Sequence, residues 1–109
     1  MRLELHPDAQ AEFRLAALWY EEHRAGLGDE FVTEVSTTLH RIVERPAAYP
    51  VWPETRDRSV PIRKAVVDRF PYLIGFEAHS DRILVLAVAH AKRSPLYWLA
   101  RAAGGSEST

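Results

Sequence analysis

The sequence predicts an α+β fold: a small, mainly antiparallel sheet with a two-helix hairpin on one face, in the order β-α-α-β-β-β. Three observations predict it. Apolar residues recur at helical spacing twice in the first half of the chain; only a short glycine-containing break separates those stretches; and the second half holds three runs rich in Val, Ile, Leu and aromatics. The chain has 109 residues, enough for one core but too few for two independent ones, so a single domain over residues 1–101 with a flexible tail over 102–109 is expected.

Arg2 to His6 alternates Leu3 and Leu5 with polar neighbours and reads as a short strand. Pro7 supplies the φ favoured at the first helical position, and Asp8 sits beside the positive end of the helix dipole. Ala9, Phe13, Ala16, Ala17 and Tyr20 then mark one face of a helix over about residues 7–25, ended by Gly26-Leu27-Gly28. Leu15, Leu18 and Trp19 form a second apolar stripe on the same helix. Either the second helix or the aromatic crossover covers it, or it is an exposed docking stripe for another protein.

Asp29 is the expected cap of a second helix over about residues 29–45, with Phe31, Val35, Leu39 and Ile42 on one face and Pro46 ending it. The short connection folds the two helices back as an antiparallel pair. Residues 46–61 carry four prolines with Tyr49 and Trp52, which predicts an ordered but irregular crossover. Strands follow at 62–68, 72–78 and 82–90, the last two joined by a turn at His79-Ser80-Asp81. The last strand is apolar on both sides, Ile83/Val85/Ala87/Ala89 and Leu84/Leu86/Val88, and so belongs in the sheet centre with both faces covered. The C-terminal segment or a partner must cover the face away from the helices.

Composition narrows the function. There is no cysteine, which excludes disulfides, thiolate metal sites and a cysteine nucleophile. The longest apolar run is too short to span a bilayer and the N-terminus has no apolar signal core, so a soluble cytoplasmic protein is expected. The five histidines lack metal-ligand spacing, and no phosphate-binding glycine loop or nucleophile elbow is present, so neither metal nor cofactor is implied. The net charge of −1 hides an asymmetry: residues 1–54 hold five Arg against ten Asp/Glu, residues 55–109 nine Arg/Lys against five. An anionic partner should therefore meet the second half.

Chemistry concentrates in His90-Ala91-Lys92-Arg93-Ser94-Pro95-Leu96-Tyr97-Trp98. A titratable ring, two cations, a phenol and an indole leave the central strand together, an inventory that suits binding and cleaving single-stranded RNA. The blander reading keeps His90 as a hydrogen-bonded rim residue, Arg93 as surface electrostatics, and Tyr97 and Trp98 as a seal over the open sheet face. Arg63, Lys64 and Arg69 flank Val66 and Val67, and neighbouring antiparallel strands can bring some of them beside His90, although Arg63 and Lys64 point to opposite faces unless a bulge intervenes.

Several short motifs resemble one family. They are His6-Pro7-x-Ala9, Trp19-Tyr20-Glu21, Gly26-Leu27-Gly28-Asp29-Glu30-Phe31, Pro46, Arg69-Phe70-Pro71-Tyr72 and His90-x-x-Arg93-x-Pro95-x-x-Trp98. In order and spacing, from about His6 to Arg101, the chain resembles the RelE/ParE superfamily of type II toxin–antitoxin toxins, closest to the ParE-like, plasmid-stabilisation branch. The resemblance implies a toxin that inhibits DNA gyrase by binding it and is neutralised by an antitoxin encoded next door. Leu15, Leu18 and Trp19 are then expected to meet the antitoxin, and Arg63, Arg69, Arg93 and Trp98 the target or its phosphates. RelE-like relatives instead cut mRNA on the ribosome without metal, which would make His90 a base or acid, Arg93 a phosphate ligand, and Tyr97 a stacking or proton-donating group. This chain has only two lysines and ends in the ParE-like Trp98 pattern, which favours occupancy over cleavage. A third reading is an antitoxin-binding module without toxicity.

Overall fold

The structure is a computed structural model that describes residues 1–93 and 96–102. The chain runs β1 (Arg2–Leu5), α1 (Pro7–His23), α2 (Leu27–Glu44), two 3₁₀ turns (Pro46–Ala48 and Pro53–Thr55), β2 (Ile62–Val66), β3 (Tyr72–Ala78), β4 (Arg82–His90) and a final 3₁₀ turn (Leu99–Arg101). The sheet order is β1-β4-β3-β2; β1 runs parallel to β4, and the other pairs are antiparallel. This is the expected α+β arrangement, with β4 central. Among the described residues no helix is long and apolar enough to cross a membrane.

Pro7 opens α1, and the ring nitrogen Nδ1 of the capping residue His6 accepts the N–H of Asp8. Helix α2 begins at Leu27, three residues earlier than a cap at Asp29 would have it. Its cap is Gly26, at φ 89°, where a side chain would be strained. The carboxylate of Glu21, from α1, accepts the N–H groups of Gly26 and Gly28, so donors left open at the start of α2 are satisfied from the other helix and Asp29 is not needed as cap. Gly28 also lets the helices approach: a Cβ there would stand 2.7 Å from the Ala17 carbonyl oxygen.

Phe31, Val35, Leu39 and Ile42 of α2 are buried against the sheet, each worth roughly 1.5–3 kcal/mol of burial. Strand β2 stops at Val66, short of Asp68, because Arg69 adopts φ 71° and reverses the chain.

Strict alternation along β4 fails in the structure. Gly75 pairs with Ala87 and Phe76 with Val85, which leaves Leu86 without a partner of its own: a β-bulge. The bulge swaps the faces. Ile83 and Val85 face the helices, but beyond it Val88 does so, while Ala87 and Ala89 join Leu86 on the opposite side.

That second face is covered from within the chain. Trp52 from the crossover and Trp98, Leu99 and Ala102 from the C-terminal segment pack over Ile62, Leu86 and Ala89. Gly75 makes this possible, since a Cβ there would lie 2.6 Å from the Trp98 ring. Ala102, placed in the tail by the sequence, is packed in this cluster; the rest of the expected tail, 103–109, and Ser94 and Pro95 of the terminal motif lie outside the described residues.

Candidate functional site

Strand β1 is short, pairing with β4 only as far as Val85. Beyond it the edge of β4 is met by side chains. The Val88 N–H donates to Glu12 Oε1 at 3.1 Å, and Arg101 Nη1 donates to the Leu86 carbonyl at 2.9 Å. Arg101 also forks onto Glu12 through Nη1 and Nη2, both at 3.1 Å, and the Tyr97 hydroxyl donates to Glu12 Oε2 at 2.6 Å. Glu12 and Arg101 are 19% and 17% exposed at the side chain, so this network is partly shielded from water. Burial, and then the bond to Glu12, push the Tyr97 phenol up to about 12, so it stays protonated through the neutral range.

Above this network, α1 and the end of β4 enclose an open groove of about 470 Å³. Leu15 and Trp19 form the helical wall, and His90, Arg93 and Tyr97 the opposite one. The Arg93 guanidinium lies 4.2 Å over the Tyr97 ring. His90 packs edge-on to Tyr72, the ring centres 5.3 Å apart, and its Nδ1 accepts the Lys92 N–H, which puts the proton of a neutral ring on Nε2. Leu15 is 64% exposed and Trp19 53%, so neither α2 nor the crossover covers the second stripe of α1.

The stripe nevertheless serves two hollows. Leu18 turns the other way, into a hollow of about 600 Å³ between the helices, with Phe13, Gly28 and Val32. A third, of about 220 Å³, lies on the far sheet face, where Lys64, His90 and Arg93 rim a floor of Leu73, Gly75 and Ala89.

The remaining expected site residues do not converge on the groove. Arg63 shares the face of Phe76, and its Nη1 donates to the Tyr49 carbonyl at 2.7 Å. Arg69 pairs with Glu30 at 2.7 Å and Glu34 at 3.1 Å on α2. Its bond to Glu30 holds that carboxyl below the ordinary range. Trp98 is 3% exposed, stands edge-on to Trp52 and presents little surface to a partner. Glu12 and Arg101 lie outside the candidates the sequence offers, whereas Lys64, grouped there with Arg63 and Arg69, does border a hollow with His90. Glu12 carries a signal: it falls at helical spacing from Leu15, Ala16 and Trp19, an acidic group in line with the exposed stripe. Nothing in the sequence pairs it with Arg101.

Comparison with known proteins agrees with this architecture. The pattern of a family described as ParE toxin of type II toxin-antitoxin system, parDE, matches residues 3–95. A solved chain described as the chromosomal ParDE TA system from P. aeruginosa superposes with a TM-score of 0.62 at 15% identity, covering 83% of this chain and 95% of that one, a likeness of fold. No curated protein matches significantly.

Proposed function

The chain belongs to the ParE toxin family of type II toxin–antitoxin systems, and from that premise we propose that it inhibits DNA gyrase by occupying a gyrase surface, and that an antitoxin encoded next door neutralises it by covering α1. The groove formed by Trp19, His90 and Arg93 is the target-binding surface in this reading. The antitoxin takes the exposed stripe, with Leu18 seated in the inter-helical hollow and Leu15 and Trp19 at the mouth of the groove.

The observation that carries occupancy over chemistry is the dispersal of the would-be catalytic set. In-line cleavage of RNA needs a base, an acid and cations grouped around one phosphate. His90 and Arg93 share the groove, but the Tyr97 hydroxyl is committed to Glu12, and Arg63 and Arg69 are engaged with Tyr49 and with Glu30 and Glu34. The apolar wall of Leu15 and Trp19 suits a protein surface.

A supercoiling assay tests the proposal. Purified toxin is expected to stop gyrase from supercoiling relaxed plasmid, and addition of the neighbouring gene's product to restore it. Full supercoiling at saturating toxin sinks the reading, and mRNA cleavage on translating ribosomes would replace it with the nuclease. Unimpaired growth on overexpression without antitoxin would leave a module that has lost toxicity.

A further inference from the structure

We propose that Lys64, Lys92 and Arg93 contact the phosphate backbone of duplex DNA; the inference rests on the gyrase reading, because a gyrase-bound toxin works beside DNA. Lys64 stands midway along β2, in register with Gly75 and Ala87, and Lys92 and Arg93 follow where the chain leaves β4; Lys64 and Arg93 border one hollow on the far sheet face. Among the described residues no carboxylate lies within ion-pair distance of any of them, whereas Arg2, Arg24, Arg41, Arg69, Arg82 and Arg101 each have one. The Lys64 ammonium sits 5.1 Å from the centre of the Trp52 ring, and Arg93 lies over Tyr97; both are held by aromatic faces that steady a cation without neutralising it. No acidic residue lines the hollow that Lys64 and Arg93 share.

Three alternatives fit less well. A lone carboxylate neutralises one charge, while β3 separates β2 from β4, so their backbones stand roughly 10 Å apart and the cations form a row. Duplex DNA offers about one charge per 1.7 Å of axis and meets such a row with several phosphates. Single-stranded nucleic acid binds by stacking bases on open aromatic rings, but Trp52 and Trp98 on this face are buried, edge-on to each other. A docked peptide needs an open apolar seat, and Leu15 and Trp19, which provide one, line the groove on the helical side of the sheet. On the far face, free cations with no open stacking platform describe sequence-independent backbone contact, and Arg93, which also borders the groove, stands between the two surfaces.

The test is fluorescence anisotropy of the full chain with a labelled duplex of about 20 base pairs, between about 50 and 200 mM KCl. Three phosphate contacts predict a log–log slope of the binding constant on salt near −2 to −3. Lys64→Gln with Arg93→Gln should bring the slope toward −1 and weaken binding at the lowest salt at least tenfold. Arg41→Gln, which removes a cation already paired with Asp68, should leave the slope unchanged, and near-UV circular dichroism checks that each variant is folded. No binding at about 50 mM KCl, an unaltered slope in the double variant, or tighter binding to single-stranded RNA or to poly-glutamate overturns the proposal. Gyrase is absent from this measurement, so its failure leaves supercoiling inhibition standing, and loss of inhibition leaves a positive DNA result standing.

Discussion

Glu12 and Arg101 meet end-on across 89 positions of sequence, the two terminal guanidinium nitrogens each 3.1 Å from a carboxylate oxygen. The pair ties the first helix to the last described turn, and through Val88 and Leu86 it caps the edge of β4 where β1 has ended. An uncapped edge there would invite another strand.

Removing Glu12 therefore strands several donors at once. Glu12→Ala leaves the Val88 N–H, the Tyr97 hydroxyl and a partly shielded guanidinium without their acceptor, and should cost about 2–4 kcal/mol. Urea denaturation at neutral pH measures it. A loss below about 0.5 kcal/mol would mean that water replaces the carboxylate and that the network is ornamental to stability.

Tyr97 makes the same network pH-dependent. Its folded value of about 12 lies above the ordinary 10.0, so the phenol is more acidic in the unfolded chain. The stabilising effect is complete below pH 10 and is lost as pH rises from about 10 to 12, by no more than about 2 kcal/mol given partial exposure. Burial raises Tyr20 and Tyr72 as well, so absorbance at 295 nm should show Tyr97 as the last tyrosine to ionise, and Glu12→Gln should bring that last step earlier. An unchanged titration in that variant would break the link to Glu12.

Gly75 is expected to resist even the smallest side chain. In Gly75→Ala the new Cβ would stand 2.6 Å from Cη2 of Trp98, whose ring is boxed in by Trp52 and cannot retreat freely. A cost of about 1–3 kcal/mol and an altered near-UV tryptophan signal follow. Wild-type stability with an unchanged spectrum would show that the C-terminal segment shifts at no cost.

The elements were legible because local patterns dominate them. Pro7 and Pro46 punctuate the helices, and the runs at 72–78 and 82–90 match β3 and β4. What local pattern cannot carry was misread or missed. The cap of α2 comes from Glu21 on another helix, so Asp29 looked like the natural choice. The bulge at Leu86 replaces strict alternation by a two-against-one pairing that depends on β3. For the site, the cluster of chemistry after His90 was visible, but contact distances decide its use. Trp98 goes inward because Gly75 admits it, and Arg63 turns to Tyr49 on the helical side. The exposed stripe was legible as a stripe; its division between two hollows follows from α2 flanking α1 on one side and the end of β4 on the other.

That division yields the sharpest functional test. Leu18 lies in the inter-helical hollow, away from Arg93, while Trp19 lines the groove with it. If the antitoxin spans both hollows and gyrase needs only the groove, Leu18→Ser should raise the antitoxin required for neutralisation about tenfold and leave gyrase inhibition intact. Truncation of a buried interface aliphatic costs about 1–2 kcal/mol, which sets that factor. Arg93→Ala and Trp19→Ala should instead weaken gyrase inhibition by about tenfold or more, because a guanidinium and an indole are the side chains that most often anchor an interface. Titrating antitoxin into the supercoiling assay for each variant reads both effects together. Equal loss of inhibition in all three variants would show that the toxin uses α1 as one continuous surface, and the assignment of separate hollows to separate partners would fall.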